Sequence, residues 1–406
     1  MTTTSDSAPE ATTGDSAPDF AAILAQYDLH ADETADMTDD LFEYARGKCP
    51  VPHSSANGGF YLVTRYDDVR AVLTNDAVFS SASGKMVPPV QPVMMPPIDF
   101  DPPLQSEYRR LLNKYFSKAG LAKTEPAIRA VARQLVDGFI ESGQLDVLED
   151  YATPLTSAAL TKVILNIDDV ERTRTAVHLV EAIGAHTRPE AWQELTGFLT
   201  GLLAAHQPGP DDNVFQSIVS GRVQGRPLTQ DEKLGMLFNL FLGGLDTTRA
   251  AITSIVGDVI ANPGLEQRLR DPGWVAHDLD EFLRFDSVVT ALGRQVTGDT
   301  ELGGTQLHAG DWVLAHYYSA NHDSTRFDGP DQLDFDRDSN PHLAFGVGVH
   351  RCLGSNLARL QIRVAFDELL SRVENLRAAE PGFEVRHLPG ASRMPVFSTR
   401  VRFDKR

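Results

Sequence analysis

Residues 345–354 read Phe345-Gly346-Val347-Gly348-Val349-His350-Arg351-Cys352-Leu353-Gly354, and run straight into SNLARLQIRVAFDELLSRV, a strong amphipathic helix pattern starting near Ser355. Three glycines make this a tight loop that presents one cysteine just ahead of a helix N-terminus. The partial positive charge and free N–H groups there lower a thiol pKa. Such a thiolate suits either nucleophilic catalysis or a single bond to a metal. A cysteine protease needs a His and an Asn or Asp partner, and His350 lies too close in sequence to decide that. Dinucleotide binding is a poor fit, because Arg351 occupies the third glycine position of G-x-G-x-x-G. With only Cys49 and Cys352 in the chain, neither a disulfide framework nor a Cys-rich zinc site can form.

Upstream, the longest helical pattern is punctuated at both ends. Thr229 and Glu232 form a capping-box pair, and Asn262-Pro263-Gly264 stops the run. A helix of about 32 residues is a rod of ~48 Å, which has to be buried for much of its length. Inside it sits Gly243-Gly244-Leu245-Asp246-Thr247-Thr248. Adjacent glycines cost roughly 1 kcal/mol each relative to alanine in a helix interior, so they mark either close helix packing or something bulky lying against the backbone. Asn239 precedes Gly243 by four residues and Thr247 by eight, a drift of about 40° over the four and about 80° over the eight, so all three lie on one side of the helix. An amide there either bonds a neighbouring element or meets an oxygen on a bound molecule.

The rest of the chain reads as mainly α with a minor, segregated β part. GGFYLVTR (58–65) is strand-like and YDDVRAVLTN helical, residues 103–285 are almost continuously helical, and short β-like pieces follow 293. Among 406 residues, 42% hydrophobic and 23% charged, Lys plus Arg total 37 and Asp plus Glu 56, a net charge of −19. That balance disfavours nucleic acid and anionic membrane surfaces as partners. Residues 1–40 hold ten acids and no Lys or Arg. The first 18, rich in Ser, Thr, Ala and Pro, are expected to form a flexible acidic tail, with 19–406 as a single domain. No signal-peptide pattern or membrane-length apolar run occurs, so a soluble, cytoplasmic protein is expected.

These residues carry a family resemblance. FGVGVHRCLG resembles the haem-binding signature of the cytochrome P-450 monooxygenases, F-G-x-G-x-H-x-C-x-G. Glu281 to Arg284 match the family's E-x-x-R, Gly243 to Thr247 its oxygen-binding helix motif, and Ala320–Asp323 and Phe335–Arg337 the segments between those landmarks. CPVPHS (49–54) and DPPLQSEYRRL (101–111) also recur in bacterial members, so the likeness runs from about 45 to 403.

The resemblance implies the P-450 fold and haem b, iron protoporphyrin IX, with Cys352 as axial thiolate and metal ligand and Cys49 as a structural residue. It implies a structural charge triad of Glu281, Arg284 and Arg337. Arg109, Arg294 and His350 match positions that bind the haem propionates. Where many members carry His, this chain has Gln105, expected to bind the cofactor as an uncharged hydrogen-bond donor. Phe345, Gly346, Gly354 and Gly243 are expected against the cofactor. Asp246 and Thr247 resemble the acid–alcohol pair that delivers protons to dioxygen, a pair that a peroxide-using subclass replaces. The implied reaction is RH + O₂ + 2e⁻ + 2H⁺ → ROH + H₂O, a hydroxylation or O-demethylation. Electrons are expected from a separate ferredoxin and its reductase, with Arg109, Arg110, Lys114 and Lys118 as a docking patch. Asn239, Leu242, Val288, Val289, Val396 and Phe397 are the expected substrate-pocket residues, under a cover formed by residues 87–100. Their character suits a small to medium apolar substrate. A hydrogen-peroxide-dependent peroxygenase and a haem-based gas sensor are the alternatives.

Overall fold

The long helix forms as its punctuation predicts, over Gln230–Ala261. Its first turn is closed reciprocally: the Glu232 N–H donates to Thr229 Oγ1 (3.2 Å), and the Glu232 carboxylate accepts the Thr229 N–H (2.6 Å). From Leu245 onward nearly every side chain is buried, because helices Thr153–Ala158, Val170–Gly184, Ala191–Ala205 and Ser355–Leu370 pack around it. In this computed structural model the described residues are 18–406, apart from 32–37, 88, 90, 168, 185–187, 207–211, 381–385, 388–394 and 397–399. The expected acidic tail therefore lies, except for an exposed Pro18, outside them.

The β part is segregated, as the texture of the sequence indicates. Its main sheet has five strands in the order His53–Ser54, Phe60–Val63, Trp312–His316, Ala291–Val296, Phe79–Ser80. Trp312–His316 is parallel to Phe60–Val63 and antiparallel to Ala291–Val296, with Val313 opposite Arg294. The period of two along Ala291–Val296 puts Leu292 and Arg294 on one face. A second sheet joins Val373–Ala378, Arg400–Lys405 and Gln144–Asp146. Helical residues 103–285 are less uniform than their periodicity suggests: wider π-type turns at Val147–Ala152 and Ala159–Ile164 flank Thr153–Ala158.

The Glu281–Arg284–Arg337 triad is assembled as expected. Arg284 donates to both Glu281 oxygens at 2.8 Å, and Arg337 Nε to Oε1 at 3.1 Å. The remaining Arg284 donors reach the carbonyls of Asn321, Pro330 and Gln332, so a fully buried guanidinium is satisfied and ties the end of helix Tyr317–Asn321 to the loop around 330–332. Cys49 departs from its expected packing role. It is exposed at the end of helix Thr38–Lys48, with its N–H donated to Ala45. No described helix is long and apolar enough to cross a membrane.

Candidate active site

Three backbone bonds fold the cysteine loop: the Gly346 N–H donates to Leu343 O (2.7 Å), the Arg351 N–H to Gly348 O (3.1 Å) and the Cys352 N–H to Phe345 O (2.8 Å). Gly346 and Gly348 take φ of +62° and +75°, which side chains resist. Gly348 also lies on the backbone of Leu73, in helix Tyr66–Thr74, so a Cβ would collide with the Leu73 carbonyl. Sequence and packing thus both demand glycine at this point. Cys352 emerges two residues before Gly354, the N-cap of Ser355–Leu370.

A cavity separates this loop from the long helix. Cys352, Phe345, Gly346, His350 and Gly354 form one wall; Asn239, Gly243, Thr247 and Thr248 form the other. Cys352 is accessible from this cavity. Burial pushes its pKa up, against the Gly354 N–H and the cations Arg109, Arg351 and Arg359. The helix terminus acts in the expected direction but is outweighed by desolvation.

The glycine pair divides its labour. A Cβ on Gly243 would meet nothing within 4 Å, since that position faces the cavity, whereas one on Gly244 would press on Leu160 at 3.1 Å. Thr247 Oγ1 donates to Gly243 O (2.9 Å) from the cavity wall. Asp246 is not on that wall. Its carboxylate pairs with Arg249 (2.5 Å), which also holds Glu181 of helix Val170–Gly184. One residue is a 100° step around a helix, so adjacent Asp246 and Thr247 address different neighbours.

Arg109 and Arg294 reach the cavity from opposite sequence halves. Arg109 donates to Arg351 O (2.6 Å), and the buried Arg294 donates to Gly293 O (2.7 Å). Among the described residues His350 Nε2 is buried without a hydrogen-bond partner, and burial, with Arg294 nearby, holds the ring's pKa down to about 4. Gln105 departs from its expected role: its amide donates to Val349 O (2.7 Å), so it braces the loop and does not line the cavity.

Val288 and Val289 line the cavity as expected; Leu242 does not, packing instead against the main core. The wall stripe runs through 239/240, 243/244, 247/248 and 251, spaced by four, and Leu242 lies one position outside it. Val396 lies in the strand Pro395–Val396, its side chain outside the description, and Phe397 lies outside the described residues. From the 87–100 segment, Pro97 and Ile98 reach the cavity. Sequence reasoning missed Leu240, Thr248 and Ala251, which extension of the stripe predicts, and Leu292, which shares Arg294's strand face. Leu160 and Tyr317 carry no local signal for their positions.

Among the described residues no three His, Cys, Asp or Glu side chains converge to hold a bare metal ion. A metal held by Cys352 has therefore to bring most of its own ligands. An open glycine-lined wall opposite one thiol, two arginines for carboxylates and an orphaned imidazole nitrogen fit a flat metallocofactor with acidic side groups. This is the donor set of a haem-thiolate protein.

The comparisons agree. Residues 277–377 match the family model "Cytochrome P450". The chain is 30% identical to a steroid C26-monooxygenase of Mycolicibacterium smegmatis, over 89% of this chain and 92% of that protein. It is 28% identical to cytochrome P450 109 of Bacillus spizizenii, over 93% and 96%. The structure of CYP109E1 from Bacillus megaterium in complex with testosterone superposes with a TM-score of 0.82, at 25% identity, covering 92% of this chain and 99% of that one. The chain belongs to the cytochrome P450 family, whose members bind haem b and use O₂ in monooxygenation.

Proposed function

We propose that this P450 monooxygenase inserts one oxygen atom into a small to medium, predominantly apolar substrate, with electrons delivered by a ferredoxin and its reductase. The observation that carries the reading is the placement of a single thiol, Cys352, across a cavity from the Thr247 hydroxyl. Bound haem supplies the chemistry of dioxygen reduction and oxygen-atom transfer. Cys352 Sγ would hold its iron, and Arg109, Arg294 and His350 Nε2 would meet its propionates, which would give that buried imidazole nitrogen a partner.

Thr247 spends its own proton on Gly243 O, which leaves its oxygen free to accept a hydrogen bond within the cavity. Asp246, one residue before Thr247, is tied through Arg249 to part-exposed Glu181, and would pass protons inward from that side of the helix. Pro97, Ile98, Leu240, Val288, Val289 and Leu292 exclude water and favour an apolar guest. The steroid-oxidising relative and the testosterone complex support that class of ligand.

For ferredoxin, the patch loses Arg109, which turns inward, while Arg110, Lys114 and Lys118 on the same helical segment are exposed and Lys114 pairs with Asp212 at 2.5 Å. An acidic ferredoxin would dock there. The decisive variant is Cys352→Ser: the reduced carbon monoxide complex should lose its thiolate-type spectrum. A retained spectrum would assign the ligand to another residue and overturn the reading.

A further inference from the structure

We infer that Asn239 is the polar anchor of the substrate chamber, donating a hydrogen bond from Nδ2 to an oxygen of an otherwise apolar substrate and so selecting which carbon is oxidised. This rests on the monooxygenase reading and adds the substrate's polar feature. Asn239 lies on the cavity wall one helical turn before Gly243 and two before Thr247, roughly 6 and 12 Å along the axis. Around it the chamber is apolar: Pro97, Ile98, Leu240, Val288 and Val289.

Its single hydrogen bond among the described residues runs from Nδ2 to Pro96 O at 3.4 Å, the long end of the range. One Nδ2 hydrogen and Oδ1 remain to be satisfied from within the cavity, and an unmade hydrogen bond in apolar surroundings is costly. The carbonyl that orients the amide is itself fixed. The Met94 carbonyl and the Pro96 ring lie directly on Gly235, one turn earlier, where no Cβ could fit. Asn239 is thus a preorganised donor at the far end of a greasy chamber. The matching substrate has an apolar body and one ketone, ester or alcohol oxygen about 6–12 Å from the oxidised carbon.

The test compares cyclododecanone with cyclododecane, one scaffold with and without a carbonyl, by titrating the ferric holoenzyme and following the haem difference spectrum. The wild type should bind the ketone about three- to tenfold more tightly, the usual worth of one such bond. Asn239→Leu and Asn239→Ala, which change volume in opposite directions, should both erase that ratio and leave cyclododecane binding within about twofold. A wild type without ketone preference, or variants that keep it, would overturn the inference. So would equal weakening of both probes in both variants, which reduces Asn239 to a fastener for Pro96. The reduced carbon monoxide spectrum should be unchanged in both variants, whereas its absence from the wild type would sink the haem-thiolate reading itself.

Discussion

Thr247 is placed by a backbone feature rather than by a partner side chain. Its hydroxyl bonds the carbonyl of Gly243, four residues earlier, and the absent Cβ at Gly243 keeps the space before it open. The back-bond is typical of Ser and Thr in helices, so Ala at 247 keeps the helix while removing that hydroxyl from the cavity wall. Thr247→Ala should therefore retain haem and substrate binding but uncouple NADH consumption from product, releasing hydrogen peroxide. The ratio of product to NADH in the reconstituted system measures this, and an unchanged ratio would mean that the hydroxyl is dispensable. Cys352 carries a related lesson. The loop and helix terminus that activate its thiol are legible in the sequence, while the burial that opposes them belongs to the packed molecule.

The long helix shows how far local rules reach. Its start, its end and its open-faced glycine all follow from residues within a few positions of one another. Packing adds to its first turn: Glu232, besides capping, takes Arg226 at 2.7 Å and the Tyr108 hydroxyl. Arg226, with smaller help from Tyr108 and the Thr229 N–H, holds the Glu232 carboxyl down to about 2 from its ordinary 4.5. Because the folded pKa is the lower one, this stabilisation is complete above about pH 4.5 and is lost as pH falls toward 2. Arg226 is 45% exposed, so solvent screens part of the attraction. Glu232→Gln should cost about 1 kcal/mol at pH 7, with the difference from wild type shrinking as pH drops below 4.5. Urea unfolding at pH 7 and pH 3.5 would check it; a gap that persists at low pH would assign the effect to packing.

Across the whole molecule, the segment over the cavity is held by a pair whose members are unremarkable in the sequence. Lys85 Nζ lies 3.5 Å from Asp99 Oδ1, with side-chain exposures of 13% and 0%, and Lys85 O accepts the Gly293 N–H (2.7 Å) beside Arg294. Burial lowers the lysine pKa and raises that of the aspartate, so each charge depends on the other. Asp99→Ala leaves the ammonium unpaired and should destabilise the fold by about 3–5 kcal/mol. Combining Lys85→Met with Asp99→Leu should recover most of that loss. Thermal unfolding of the single and double variants tests both statements. Additive losses would show that the two residues act separately.

The sequence alone determined the thiolate loop, the long helix with its glycine and threonine, the E-x-x-R pair and the segregation of strands from helices. Each is written in neighbours a few positions apart, where turn geometry and periodicity operate. Tertiary structure decided which side chains share a wall. It turned Asp246 toward Arg249, spent Gln105 on Val349, withdrew Leu242 from the chamber and brought Leu160 and Tyr317 to it. A side chain's direction depends on competition among partners far away in the chain. Arg249 is three residues from Asp246, but Glu181, which also holds it, is 68 residues from Arg249. No local pattern records such a competition, because its energy exists only once the helices have packed.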